Sequence, residues 1–122
     1  QSYNNLGLIY FKAGKYEEAR EALKKSLSLG EVYTTYENLA VVNMAMGDHQ
    51  DNILFIRQTL TKLPQSAKLW TVLAIENYQL NQFADAQSAI RKAYMYDKSP
   101  STRYYYNAIM NRETLKTDIG IH

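Results

Sequence analysis

Two histidines, His49 and His122, and a scatter of carboxylates are the side chains whose chemistry has to be considered first. A histidine can ligate a metal or carry a proton, but a metal site needs several ligands at short spacing, and these two lie far apart. His122 is the last residue, and His49 falls where a turn is expected. Glu17, Glu18, Glu21, Asp48, Asp51 and Asp85 sit at turns and outer faces, with Arg20, Lys24 and Lys25 close by. That mixture describes a solvated helix face laced with ion pairs, not a paired acid and base. Cysteine is absent, which excludes thiolate zinc sites, iron–sulfur clusters, disulfides and a cysteine nucleophile. No HExxH, GxSxG, P-loop or dinucleotide-binding glycine pattern occurs, and no nucleophile–base–oxyanion set can be assembled. The expectation is a non-catalytic chain without cofactor or metal.

The elements that would position any site follow from composition and period. The chain has 122 residues, which suits one unit of about 100–150 residues. Fourteen basic and twelve acidic side chains give a net charge of +2, too little to argue for nucleic acid or an anionic membrane. No run of about 18 apolar residues is present, so no membrane insertion is expected. No signal-peptide pattern is present, and lack of cysteine is compatible with cytoplasm and periplasm alike. The chain opens at Gln1 inside helix-like sequence, which suggests a piece of a longer protein. The unusual count is eleven tyrosines against three Phe and one Trp. Tyrosines stack on bases, but the basic residues form no stripe, so nucleic acid is not the expected partner.

Internal repetition accounts for much of the pattern. Tyr3, Tyr36, Trp70 and Tyr104 recur at spacings of 33, 34 and 34. The same register aligns Leu6, Leu39 and Leu73; Gly7, Ala40, Ala74 and Ala108; Gly14, Gly47 and Asn81; Tyr16, His49 and Phe83; Ala19, Asn52 and Ala86; and Leu23, Ile56 and Ile90. Each period divides into two amphipathic helices. The first halves run over 3–11, 36–46 and 70–80, the second over 17–29, 51–63 and 84–96. Gly14, Gly47 and Asn81 supply left-handed helix ends. Thr34 with Glu37 has capping-box spacing, and Asp48 can cap the following helix. Asn43, Asn77 and Asn111 suggest an inter-helix polar ladder. Asn52, in a column of small apolar residues, weakens the central pair unless it finds a hydrogen-bond partner.

These columns resemble the tetratricopeptide repeat, a 34-residue helix–turn–helix unit. The first repeat carries the resemblance in Tyr3, Leu6, Gly7, Tyr10, Gly14, Tyr16, Ala19 and Leu23. The third carries it in Trp70, Leu73, Ala74, Phe83, Ala86, Ile90 and Ala93. The resemblance implies an all-α, right-handed α-solenoid: repeats over 1–31, 32–65 and 66–99, a capping helix over 100–117 with its turn motif lost at Leu115, and a tail over 118–122. It also implies that the first helices line a concave groove. The residues placed there are Asn4, Leu8, Phe11, Lys12, Glu37, Val41, Met44, Lys68, Thr71, Ile75 and Tyr78, with Ile109 and Arg112 ending the rows.

Apolar rows in a groove suggest a protein or peptide partner that is apolar or amphipathic. One subclass of the family grips acidic C-terminal peptides with a Lys/Asn/Arg clamp. Asn38 and Lys68 match that clamp, whereas Asn4, Leu8 and Val72 do not. The preferred function is a protein-interaction scaffold. The alternatives are a module that self-assembles through its solenoid edges, around Tyr3, Ile9 and Tyr10, and an accessory domain of an enzyme whose catalytic part lies elsewhere.

Overall fold

The computed structural model describes residues 2–30 and 33–116. It is all-α, and no strand occurs among the described residues. The helices are α1 (Tyr3–Lys12), α2 (Tyr16–Leu29), α3 (Tyr33–Ala45), α4 (His49–Leu60), α5 (Ala67–Gln79), α6 (Phe83–Tyr96) and α7 (Pro100–Met110). They form two compact units, the first ending at Asp48 and the second beginning at His49. The tail 118–122 lies outside the described residues.

In the first unit, Ser2 caps α1 by accepting the Asn5 N–H at 3.1 Å. Three residues, Ala13-Gly14-Lys15, turn the chain into α2, so α1 and α2 pack as an antiparallel hairpin. Gly7 is where they touch. A Cβ added there would lie 2.8 Å from Leu23 Cγ and 3.3 Å from the Ala19 carbonyl oxygen. Leu23 and Ala19 are fully buried, so neither the Leu23 side chain nor the Ala19 backbone has room to retreat. Gly7→Val should therefore cost about 1–3 kcal/mol by overpacking. Urea unfolding would register it as a lower midpoint at unchanged slope. The next helix, α3, packs on α2 and buries Leu39, Ala40, Val41 and Val42.

In the second unit, α4 packs on α5, α5 pairs with α6, and α7 lies against both α5 and α6. Its core is Leu69, Val72, Ile75, Ile90, Ala93, Ala108 and Ile109, all at most 2% exposed. Asn81 ends the α5 turn at φ 61°, as the sequence anticipates. Pro100 opens α7, where its missing N–H is harmless. Asp97 secures that start: its carboxylate accepts the Ser99 N–H at 2.9 Å and the Thr102 hydroxyl at 2.8 Å. The Ser99 N–H bond foremost holds the Asp97 carboxyl below its ordinary range.

One backbone device recurs at the end of every first helix. The N–H groups of Lys15, Asp48 and Gln82 reach back five residues to the carbonyls of Tyr10, Asn43 and Asn77. The residue before each has positive φ: Gly14 at 76°, Gly47 at 83°, Asn81 at 61°. This is the Schellman turn. α7 ends the same way, with Glu113 N–H on Ala108 O at 2.8 Å and Arg112 at φ 56°. The expectation of a capping helix over 100–117, its turn motif lost at Leu115, is thus corrected: α7 ends at Met110. The motif persists, three residues early, at a residue that carries a Cβ and gains no ease from glycine. The Arg112 guanidinium sits 3.9 Å over the Phe83 ring, a contact that offsets the strained backbone. Thr34 is also not a cap: α3 begins at Tyr33, so Thr34 and Glu37 both lie inside it.

Candidate functional site

On α1, Asn4, Leu8, Phe11 and Lys12 share one face through their spacing of three, four and seven. Lys12 is exposed, and Asn4, Leu8 and Phe11 are half-buried. Phe11 leans on Tyr16 across the hairpin turn, centroids 5.3 Å apart. Asn4 is engaged from below: its Oδ1 accepts from Asn38 Nδ2 at 3.1 Å and from the Thr35 hydroxyl at 3.2 Å, with Ser26 against Thr35 at 3.3 Å. The α3 candidates are different in kind. Glu37, Val41 and Met44 are buried, Val41 to 1% exposure.

The second unit repeats this split. Lys68 and Tyr78 on α5 keep partial access to solvent, while Thr71 and Ile75 are buried, as is Ile109 on α7. Thr71 turns its hydroxyl onto the Ala67 carbonyl at 2.8 Å. Tyr78 meets Phe83 edge-on at 5.3 Å, the counterpart of Phe11 on Tyr16 with the two ring types exchanged. The Tyr78 hydroxyl also donates to the Glu113 carbonyl at 2.6 Å, in the segment after α7.

Sequence reasoning missed Glu76. This carboxylate is fully buried on α5. Its Oε1 lies 2.7 Å from His49 Nδ1, and its Oε2 accepts from Asn52 Nδ2 at 2.9 Å. Burial pushes the Glu76 carboxyl above its ordinary value of 4.5, against the opposing bonds from Asn52 and His49. Asn52 therefore has the partner that its place in an apolar column demanded. A signal was present: His49 and Asn52 are both polar departures from apolar columns of the second repeat, three residues apart. The expected asparagine ladder does not form at Asn77. Its Nδ2 donates to the Leu73 carbonyl of its own helix at 3.1 Å, because the position faces back along α5. In the recurring aromatic columns, Tyr3, Tyr16 and Tyr104 are each at least 37% exposed.

Asp48 pairs with Arg20, whose Nη1 donates to Oδ2 at 3.1 Å while Nη2 reaches Glu17. No group of three His, Cys, Asp or Glu among the described residues is placed to hold a metal. No helix among them is long and apolar enough to cross a membrane. Between α1 and α2, Tyr3, Leu6, Tyr10 and Ala22 line an open cleft of about 350 Å³ rimmed by Glu17, Glu18, Glu21 and Lys25.

Known proteins share this architecture. The tetratricopeptide repeat family model matches residues 1–31. A bovine protein described as "BBSome complex member BBS4" is 25% identical over 118 residues, 95% of this chain but 23% of that protein. The chain thus spans about a quarter of its curated relative. The structure of Mycobacterium tuberculosis EmbR, in complex with a low-affinity phosphopeptide, superposes with a TM-score of 0.81 at 18% identity over 94% of this chain and 38% of its own. The Sgt2 TPR domain from Aspergillus fumigatus gives 0.81 at 16% identity, over 96% and 85%. The chain is a helical-repeat protein with the tetratricopeptide-repeat fold, and its first 31 residues match that family directly.

Proposed function

We propose that the chain is a non-catalytic scaffold that holds a peptide or amphipathic helix of a protein partner against its first-helix faces. The observation that carries this reading is the pairing on α1 of half-exposed Leu8 and Phe11 with exposed Lys12. Apolar surface left open beside a mobile cation suits an amphipathic segment: the rings and methyls take its apolar side, and the ammonium meets its polar rim. On α5, Lys68 and Tyr78 are half-buried and keep access to solvent near opposite ends of the helix. Glu37, Val41, Met44, Thr71 and Ile75 are buried and serve as the packed support of these faces. The bovine relative's description as a complex member accords with a chain that holds other proteins.

Leu8→Asp tests this reading. Leu8 is half-buried, so the variant should keep its helical circular dichroism while partner recovery falls at least about tenfold, the loss that burying a charge opposite an apolar segment produces. Undiminished recovery contradicts the proposal.

A second reading rests on the acidic-rimmed cleft of α1 and α2. Its tyrosine and leucine floor fits an adjoining repeat or a second copy, the self-assembly alternative. Tyr3→Glu with Tyr10→Glu should then abolish any dimer seen by light scattering. A parent chain that stays monomeric at high concentration in its full-length protein counts against it.

A further inference from the structure

Residues 113–116, after α7, are held through their main chain by three tyrosines, beyond the Glu113 N–H bond to Ala108 that closes the helix. Tyr78 donates to the Glu113 carbonyl at 2.6 Å and Tyr105 to the Lys116 carbonyl at 3.0 Å. The Lys116 N–H donates to the Tyr104 hydroxyl at 3.0 Å. The segment has no regular secondary structure; the Glu113, Thr114 and Lys116 side chains stay exposed, and Leu115 is half-buried. Its entry is fixed by the Schellman turn at Arg112 and by that guanidinium over Phe83. Tyr78, Tyr104 and Tyr105 thus bind this segment through its backbone, two carbonyls and one N–H, while Leu115 alone among its side chains is half-buried.

We propose that residues 113–116 are a strap, an occupant in cis of a tyrosine site for polypeptide main chain on α5 and α7. An extended segment docking at Tyr78 must lift it. This rests on the scaffold reading for the partner, but the strap itself does not. Main-chain hydrogen bonds exchange with water at small net gain, while ordering the segment costs entropy, so the strap is held loosely enough to be displaced. The local concentration of a tethered segment this short is on the order of millimolar, which sets the concentration a competitor must exceed.

The chain has no cysteine, so Thr114→Cys accepts a nitroxide label at one position. Its spin-resonance spectrum should show an immobilised label in the parent background and a mobile one when Tyr78→Phe and Tyr105→Phe are added. These changes remove two donors and keep both rings. Circular dichroism checks that the helices survive. A synthetic peptide of residues 111–116, several-fold above the millimolar local concentration, should mobilise the label in the parent background. A label already mobile in the parent, or unmoved by the double substitution, overturns the strap. A label that stays immobilised under excess peptide overturns the shared site. A partner that binds the faces of α1 with the label still immobilised leaves the scaffold reading standing and overturns displacement.

Discussion

Replacing Glu76 by Ala should lower the unfolding free energy by about 2–4 kcal/mol, from the cavity and from the buried amide left without its acceptor. Asn52 is 1% exposed, and its Nδ2 loses the Oε2 acceptor at 2.9 Å inside the core. His49 Nδ1, 2.7 Å from Oε1, loses its partner in the same step. Glu76→Gln should behave in the opposite way. A glutamine amide oxygen can accept from Asn52, and its NH2 can donate to an unprotonated Nδ1, so the packing and both bonds persist without a buried charge.

The pH dependence separates these cases. Burial raises the Glu76 carboxyl above its ordinary value of 4.5, so the folded chain holds a proton that the unfolded chain has released. Where the folded state binds more protons, stability falls as pH rises. Stability from this group is therefore full below 4.5 and declines as pH climbs through the raised value. Urea midpoints of the parent relative to Glu76→Gln should fall across that window and level off above it. Parallel curves for the two proteins would mean that Glu76 titrates normally.

The second large effect concerns Ile75. Ile75→Ala should cost about 2–5 kcal/mol, the range for deleting a large aliphatic side chain from a closed core, because Ile75 is 0% exposed. Ile75→Asp should leave no cooperative thermal transition, since it would bury a carboxylate among apolar core side chains. Differential scanning calorimetry reads both. The contrast with Leu8→Asp is the useful part. If Ile75 were an open groove residue, its substitution would cost binding and spare folding, as at Leu8. Loss of the transition at Ile75 and its retention at Leu8 is the expected pair.

That contrast also marks where sequence stops being informative. Period and turn chemistry were legible: Gly14, Gly47 and Asn81 take the positive φ that their columns imply, and Gly7 lies at the close approach to Leu23. A 34-residue register identifies which residues share a column. It does not say how deep a column sits, since Leu8 is half-buried and Val41 and Ile75 of the same column are buried. Depth depends on the helices packed around each position, which differ along an array. The early end of α7 was not legible either. Arg112 has no intrinsic preference for a left-handed backbone, and the ring of Phe83 beneath its guanidinium comes from a residue 29 positions away. Glu76 was hidden for a similar reason: its partners belong to α4, and only the pair of polar anomalies at His49 and Asn52 hinted at it.

The claim that matters most is that the first-helix faces hold an extended or helical segment of another protein. Selecting peptides from a random library against the chain, then mapping a selected peptide by amide chemical-shift perturbation, tests it most directly. The account predicts perturbations concentrated at Asn4, Leu8, Phe11 and Lys12, at Lys68 and Tyr78, and at Glu113 to Lys116 as the strap is lifted. It also predicts at least about tenfold weaker binding to Leu8→Asp. A library that yields no binder, or a binder whose shifts fall on the outer faces of α2 and α6 and whose affinity ignores Leu8, contradicts it.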